Sequence, residues 1–489
     1  ITINGGLISG NVNSSPAPQG AAIYSVGALE LYNVTIANNT SATNGNAIWI
    51  SDGNDKQITI ANSILHDNGD ITPVYIGDAS PTLDISYSNI QDGTLAVTPE
   101  VGTLNWGEGN IDVDPEFVDA ESGDYTLLAS SPCINSGDPE FELDPDGTTA
   151  DMGAYPYLND YSGPDWYVST DGNDTSGNGS SEYPFASIQA GLNFAGADHI
   201  IHVSTGTYVE NIIWPETSSI TLRGSDRETT IIDGGGIGSV ITMSNSVENA
   251  SVSGFTITNG QFEEDINSPY YQLGGGINIG TTYEAETTAI LSDLHITNNA
   301  GWGGGGILSH NHAFLDLSNS VIDQNTAATG GGGMQLAGGF IIDSVDIINN
   351  IVGYGIYFYY AQGQISNSRI SNNSMGMFIV GANYGENGDW ESTGIIFDHV
   401  EIIDNLGGAY PEQIGIGSNT SGSSRNNVLF NHVTIALTDP DSYDYSAIRT
   451  QTGGLPSHPP VNITLRNSII GQHSGGAILH LTPEAEGEV

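Results

Sequence analysis

The sequence predicts an all-β solenoid, a stack of short parallel strands wound coil upon coil, and three observations predict it. First, an apolar position followed three residues later by Asn returns through the chain, at Ile296 to Asn299, Ile322 to Asn325, Ile347 to Asn350, Ile370 to Asn373 and Ile402 to Asn405. The isoleucines are spaced by 26, 25, 23 and 32 residues, too short for repeats of paired helices and right for one turn of a stacked solenoid. Second, the segments around them alternate, as in Val34-Thr35-Ile36 and Val400-Glu401-Ile402, which gives a short strand one buried face. Third, the chain holds 65 glycines, and Gly and Asn follow the apolar segments. Both tolerate the left-handed backbone that turns a chain sharply.

The coils begin early, at Ile8 to Asn11, Ile36 to Asn39 and Ile64 to Asp67, and Ile435 and Ile469 extend the pattern towards the other end. Asparagines stacked in this way can hydrogen-bond from coil to coil, satisfying amides that would be costly to bury alone. Glycine-rich corners follow at Gly274 to Gly276, Gly303 to Gly306 and Gly330 to Gly333. A phosphate loop would need Lys-Ser/Thr and a helix behind the glycines; neither follows, so these are read as corners.

Between residues 112 and 170 the rhythm stops. The chain passes through Ser131-Pro132-Cys133-Ile134 and Asp151-Met152-Gly153-Ala154, and a new start follows at Trp166-Tyr167-Val168. Ile188, Leu192 and Ala195 recur at helical spacing behind Ser187 as N-cap, with Gly196 as the stop. Such a short amphipathic helix would cover the open end of a second coil stack. The expected organisation is therefore residues 1–161 as the C-terminal part of a first module with its closing segment, and residues 163–489 as a second module truncated at its C-terminal end, joined at Tyr161-Ser162-Gly163-Pro164. Ile58-Thr59-Ile60-Ala61-Asn62-Ser63-Ile64 is echoed 405 residues later by Ile463-Thr464-Leu465-Arg466-Asn467-Ser468-Ile469. The echo is expected of a tandem array whose partners are neighbouring modules of the same longer chain.

Charge narrows the function classes. Lys and Arg total 7 against 57 Asp and Glu, a net charge of −50, which excludes a basic nucleic-acid footprint. It favours solubility and divalent cations. A single cysteine, Cys133, excludes an internal disulfide framework. No apolar run approaches the roughly 20 residues that span a membrane. The chain opens inside the repeat pattern and is read as a window on something longer.

Three segments carry a resemblance. They are Tyr167 to Asn173 with Tyr183-Pro184-Phe185-Ala186-Ser187-Ile188; Ile200-Ile201-His202-Val203 through Ile220-Thr221-Leu222-Arg223-Gly224 to Thr230-Ile231-Ile232-Asp233-Gly234; and Asp124-Tyr125-Thr126-Leu127 through Ser131-Pro132 to Asp151-Met152-Gly153-Ala154. Together they resemble right-handed parallel β-helix proteins of the pectate-lyase-like superfamily, in their large bacterial secreted and surface branch. The resemblance implies a right-handed parallel β-helix located outside the cell or on a bacterial surface. It says little about activity, because that scaffold carries lyases, hydrolases, adhesins and passive stalks.

Lyases of this fold use a Lys or Arg base beside calcium. Lys56 is the only lysine, and among the arginines Arg369, on a central coil, is the candidate base; an outward-facing scaffold residue is the plainer reading. Glycosidases need grouped carboxylates, and the Asn-Thr-Asp, Asp-Asp and Gly-His-Gly cluster of the polygalacturonase-like branch is absent. Asp293, Asp343 and Asp398 fall where other coils place Asn, whereas Asp316 lies further back and is less easily explained. His310 and His312 stand two residues apart, hence on one face of a strand, where they could share a metal or act with Asp316, or simply line a corner.

Aromatic residues give the better functional signal. Tyr354, Tyr357, Phe358, Tyr359 and Tyr360 crowd one coil, with Trp302 two coils earlier and Trp390 in an insertion. Coils stacked at about 4.8 Å would put Trp302 and Tyr354 about 10 Å apart, near two sugar units. Flat rings with Asn and Asp suit glycan binding, although alternation sends half of the rings inward. The insertions Gln261 to Leu273 and Ala382 to Thr393 leave the coils as loops, where function tends to sit. Asp144 and Asp146, and Asp171, Asn173 and Asp174, form acidic turns that could hold calcium, or form unaided. The sequence thus points to an extracellular scaffold or adhesin with carbohydrate binding, the alternative being a polysaccharide-degrading lyase or glycoside hydrolase.

Overall fold

The computed structural model describes residues 1–489 apart from 16–19, 43–44, 51–55, 70–72, 77–80, 98–102, 244–246, 263–273, 281–285, 381–393, 406–411, 418–425, 437–445, 452–460, 472–478 and 482–489. Among the described residues strands dominate, the one α-helix is Ile188–Phe194, and no helix is long and apolar enough to cross a membrane. The chain divides into two compact units, Ile1–Gly163 with Asp171–Phe194, and Pro164–Thr170 with Ala195–Val489.

In the first unit the strands Thr2–Ser9, Leu29–Ala37, Gln57–Ala61, Thr82–Ser86 and Thr103–Trp106 pair in parallel in that order. Alternation puts Leu29, Leu31, Ile58, Ile60, Leu83 and Ile85 into one buried cluster. The closing segment then docks on this sheet. Gly153 N–H donates to Asn62 O at 2.8 Å, Asp138 N–H donates to Asn62 Oδ1 at 2.8 Å, and Ala154 N–H donates to Thr35 Oγ1 at 2.9 Å. Cys133 and Met152 pack with Ile64 beneath it. Burial pushes the Cys133 thiol up to about 12, so the lone cysteine is a packed, inert residue.

The helix, expected at the start of the second module, packs against the closing segment of the first unit. Ser187 Oγ does accept Ala190 N–H at 3.3 Å, but the helix groups with the first unit. Asn193 Nδ2 donates to Ala129 O at 3.0 Å and Ser131 O at 2.9 Å, and Phe194 packs on Tyr157 with ring centroids 5.3 Å apart. These partners lie in the closing segment, beyond the reach of local periodicity.

In the second unit the strands form large parallel pairings whose register repeats the isoleucine column. Ile257, Ile296, Ile322, Ile347, Ile370, Ile402 and Ile435 stand side by side and are fully buried, each contributing about 1.5–3 kcal/mol. The next member is Ile470, paired with Ile435, while Ile469 pairs with Thr434 and is exposed. The same one-residue offset occurs in the first unit, where Leu65 pairs with Ile36 and Ile64 pairs with Thr35. At both places the isoleucine picked out by sequence sits one position before the buried column.

Three residues after Ile296, Ile322, Ile347, Ile370 and Ile402, a buried asparagine ladder runs through the turns. The N–H and Nδ2 of Asn299 both donate to Asn325 Oδ1, at 2.9 and 3.0 Å. The pattern repeats from Asn325 to Asn350, Asn350 to Asn373 and Asn373 to Asn405. Gln413 Oε1 takes the acceptor place after Asn405, at 3.1 and 3.0 Å. In the first unit Asn11, Asn39 and Asn68 make the same bonds, so Asn68, and not Asp67, is the ladder residue of that turn. The residue before each ladder asparagine is left-handed: Asn298, Gln324, Asn349, Asn372 and Asp404 have φ of 55–56°.

The glycine runs are corners at which backbones stack. A Cβ added to Gly306 would lie 2.7 Å from Gly333 O, and one added to Gly331 would overlap the Met334 carbonyl. No side chain fits between these layers, so the runs answer to close packing.

Candidate functional site

The aromatic coil divides as alternation requires. Phe358 points into the core and is fully buried, packing against Phe340 at 5.4 Å. The tyrosines lie outward on the strand Val352–Ser366, and Phe378 on the next strand, Met375–Val380, is in register with Tyr357. The Tyr357 and Phe378 rings are nearly coplanar in orientation, 5° apart with centroids at 5.9 Å. Tyr354 lies 5.2 Å from Phe378 and 5.9 Å from Tyr357, and Tyr359 stacks on Tyr357 at 6.4 Å and 14°. Tyr360, left-handed at φ 56°, sets its ring across Tyr359 at 4.6 Å and 76°.

This outer face is part-exposed, with Tyr359 at 39%. Burial, reinforced by the neighbouring Tyr359 and Tyr360 hydroxyls, raises the Tyr357 pKa, so its phenol is a neutral hydrogen-bonding group at neutral pH. Gln335 adjoins Tyr357 on one side, and Gly415 adjoins Phe378 on the other. Ring faces edged by an amide and phenol hydroxyls can stack on apolar sugar faces and bond to their rims.

The other aromatic candidates are placed separately. Trp302 is half-buried in a glycine corner and meets Phe262 edge-on at 5.9 Å. Tyr354 pairs with Gly331, which bridges to Gly304, two residues beyond Trp302. Trp390, with both insertions' central residues, lies outside the described residues.

The residues proposed for catalysis do not converge. Asp316 stands between Ile290 and Ile341 in its strand column. Arg369 belongs to another column, between Asp346 and Glu401, where Nε and Nη2 donate to Asp346 at 3.2 and 3.0 Å. Its Nε and Nη2 are thus committed to the Asp346 carboxylate, away from the Asp316 column.

His310 and His312 do not share a strand face. Their segment is a turn between Ile307–Ser309 and Ala313–Ser318, closed by Ala313 N–H donating to His310 O at 3.0 Å. His310 is half-buried, with Nε2 3.3 Å from Asn278 Oδ1, and burial lowers its pKa; His312 is exposed.

The acidic turns are held by main-chain amides. Asp144 Oδ2 accepts Asp151 N–H at 2.8 Å, and Asp146 accepts Thr148 N–H at 3.1 Å and Asn159 N–H at 3.0 Å. Asn173 Oδ1 accepts from Thr175 and Ser176, both at 2.8 Å, and Asp174 Oδ1 accepts Ala186 N–H at 2.7 Å; Asp171 is exposed. These bonds account for the turns without a cation.

One cluster escaped the sequence reading. Asp398, His399 and His432 bring a carboxylate and two imidazoles together at the surface. Aligning Asp398-His399-Val400 with Asn431-His432-Val433 would have found it, but that alignment needs the register across repeats of unequal length. The sequence matches no protein-family model and no curated protein significantly.

Proposed function

We propose that the chain is a right-handed parallel β-helix of the pectate-lyase-like kind, serving as an extended scaffold on or outside a bacterial cell and binding polysaccharide on its outer aromatic face. The observation that carries the reading is the Tyr354, Tyr357, Tyr359 and Phe378 platform, four rings on the outside of adjacent parallel strands. Sequential parallel pairing and the buried asparagine ladder support the β-helix. The separation of Asp316 from Arg369 into different strand columns favours binding over cleavage.

Affinity electrophoresis through gels containing neutral and acidic polysaccharides tests this. At least one polysaccharide should retard the protein, and Tyr357→Ala with Phe378→Ala should abolish the retardation. Unretarded migration in every gel would overturn the binding reading. Release of reducing or unsaturated ends, lost in Asp316→Ala or Arg369→Ala, would instead establish the degrading enzyme.

A further inference from the structure

His399 and His432 occupy one position in successive repeats. Each is the left-handed residue, at φ 56° and 53°, that follows the strands Ile395–Asp398 and Asn426–Asn431. Main-chain bonds fix both places: His399 N–H donates to Asn431 O and His432 N–H to Arg466 O, each at 3.1 Å. The rings stack with centroids 4.4 Å apart and planes at 20°. Both Nδ1 atoms face the same oxygen, Asp398 Oδ1, at 3.0 Å from His399 and 3.4 Å from His432. Asn431 Nδ2 donates to that oxygen at 2.8 Å and orients it.

Around a cation with bonds of about 2.1 Å, donors at octahedral to tetrahedral angles stand roughly 3.0–3.4 Å apart. The two nitrogen–oxygen separations fall in that interval. The turn itself does not call for imidazoles, since the same left-handed position holds Asp293, Asn319, Ser344 and Asn367 in the preceding repeats.

We propose that Asp398, His399 and His432 bind a borderline divalent transition-metal ion, such as zinc, copper(II) or nickel(II), through one carboxylate oxygen and two Nδ1 atoms. Two nitrogen donors select these ions over calcium and magnesium, which take oxygen ligands. With side chains 58% and 45% exposed, the histidines leave the remaining coordination positions to water or to an oxygen donor from a bound molecule.

Because a net charge of −50 gathers divalent ions unspecifically, the test is zinc calorimetry in excess magnesium. The wild-type chain should bind one zinc per chain under those conditions. The variant His399→Asn with His432→Asn restores the residue type the turn accepts elsewhere and should fold with an unchanged melting temperature, yet bind zinc at least about tenfold more weakly. His310→Asn with His312→Asn should leave zinc binding intact. With copper(II), electron paramagnetic resonance should show coupling to two imidazole nitrogens that the His399/His432 variant lacks. Equal zinc affinity in wild type and that variant, or displacement of all zinc by magnesium, overturns the proposal.

Discussion

Asn350 Nδ2 lies 2.8 Å from Asn373 Oδ1, with both side chains buried, and the N–H of Asn350 meets the same oxygen at 3.0 Å. Asn373→Ala therefore strands two donors in the interior. At about 1–3 kcal/mol for each unmet group, the variant should lose roughly 2–5 kcal/mol in guanidinium denaturation. Asn349→Ala, at an exposed position with φ 56°, should lose only about 1–2 kcal/mol, the cost of a left-handed residue with a Cβ. Equal losses would mean that the ladder contributes no more than the turn.

Gly331→Ala should be damaging for another reason. Its Cβ would overlap the Met334 carbonyl of the same corner, and distorting that corner to relieve the clash should cost about 1–3 kcal/mol. Gly27→Ala, with nothing within 4 Å of the added carbon, is the matched control and should melt within a degree or two of wild type.

Arg369→Gln breaks a partly exposed ion pair with Asp346. Solvent screens such a pair, so the change in stability should stay within about 1 kcal/mol. Polysaccharide retardation should be unchanged, and a gel in which it disappears would assign Arg369 to the binding face.

Asp151 gives a pH dependence with a definite sign. Burial pushes its pKa up from 3.8 to about 7, against hydrogen bonds from the Asn135 and Tyr157 amides. Between about pH 4 and 7 the unfolded carboxyl ionises while the folded one keeps its proton, so stability falls as pH rises and levels off above 7. Relative to Asp151→Asn, the wild type should lose on the order of 4 kcal/mol across that window. A stability difference that stays flat from pH 4 to 8 would show that the carboxyl titrates normally.

Much of the fold was legible because its determinants are local and repeated. Ile322 and Asn325 carry in four residues the buried column, the turn and the ladder. What was misread depended on distant partners. Ile64 and Ile469 look like column members, but register with Ile36 and Ile435 selects Leu65 and Ile470. The helix could be recognised from Ser187, whereas its anchors at Ala129, Ser131 and Tyr157 could not. The same holds for the candidate sites: the tyrosines crowd one coil and announce themselves, while His399 and His432 meet only across neighbouring strands.

The asparagine ladder also binds in two directions. From Asn325 to Asn373 each Oδ1 accepts from the asparagine of the preceding repeat, and each Nδ2 donates both forward to the next Oδ1 and back to a main-chain carbonyl of the preceding repeat, so an interior layer is held by its predecessor and its successor together. Removing one rung therefore loosens the layers on either side of it, so damage at one coil spreads both ways along the stack. Gln413 grips Asn405 with both ends of its amide: Oε1 accepts from Asn405 while Nε2 donates to the Asn405 carbonyl at 2.8 Å, so this link is made within one repeat.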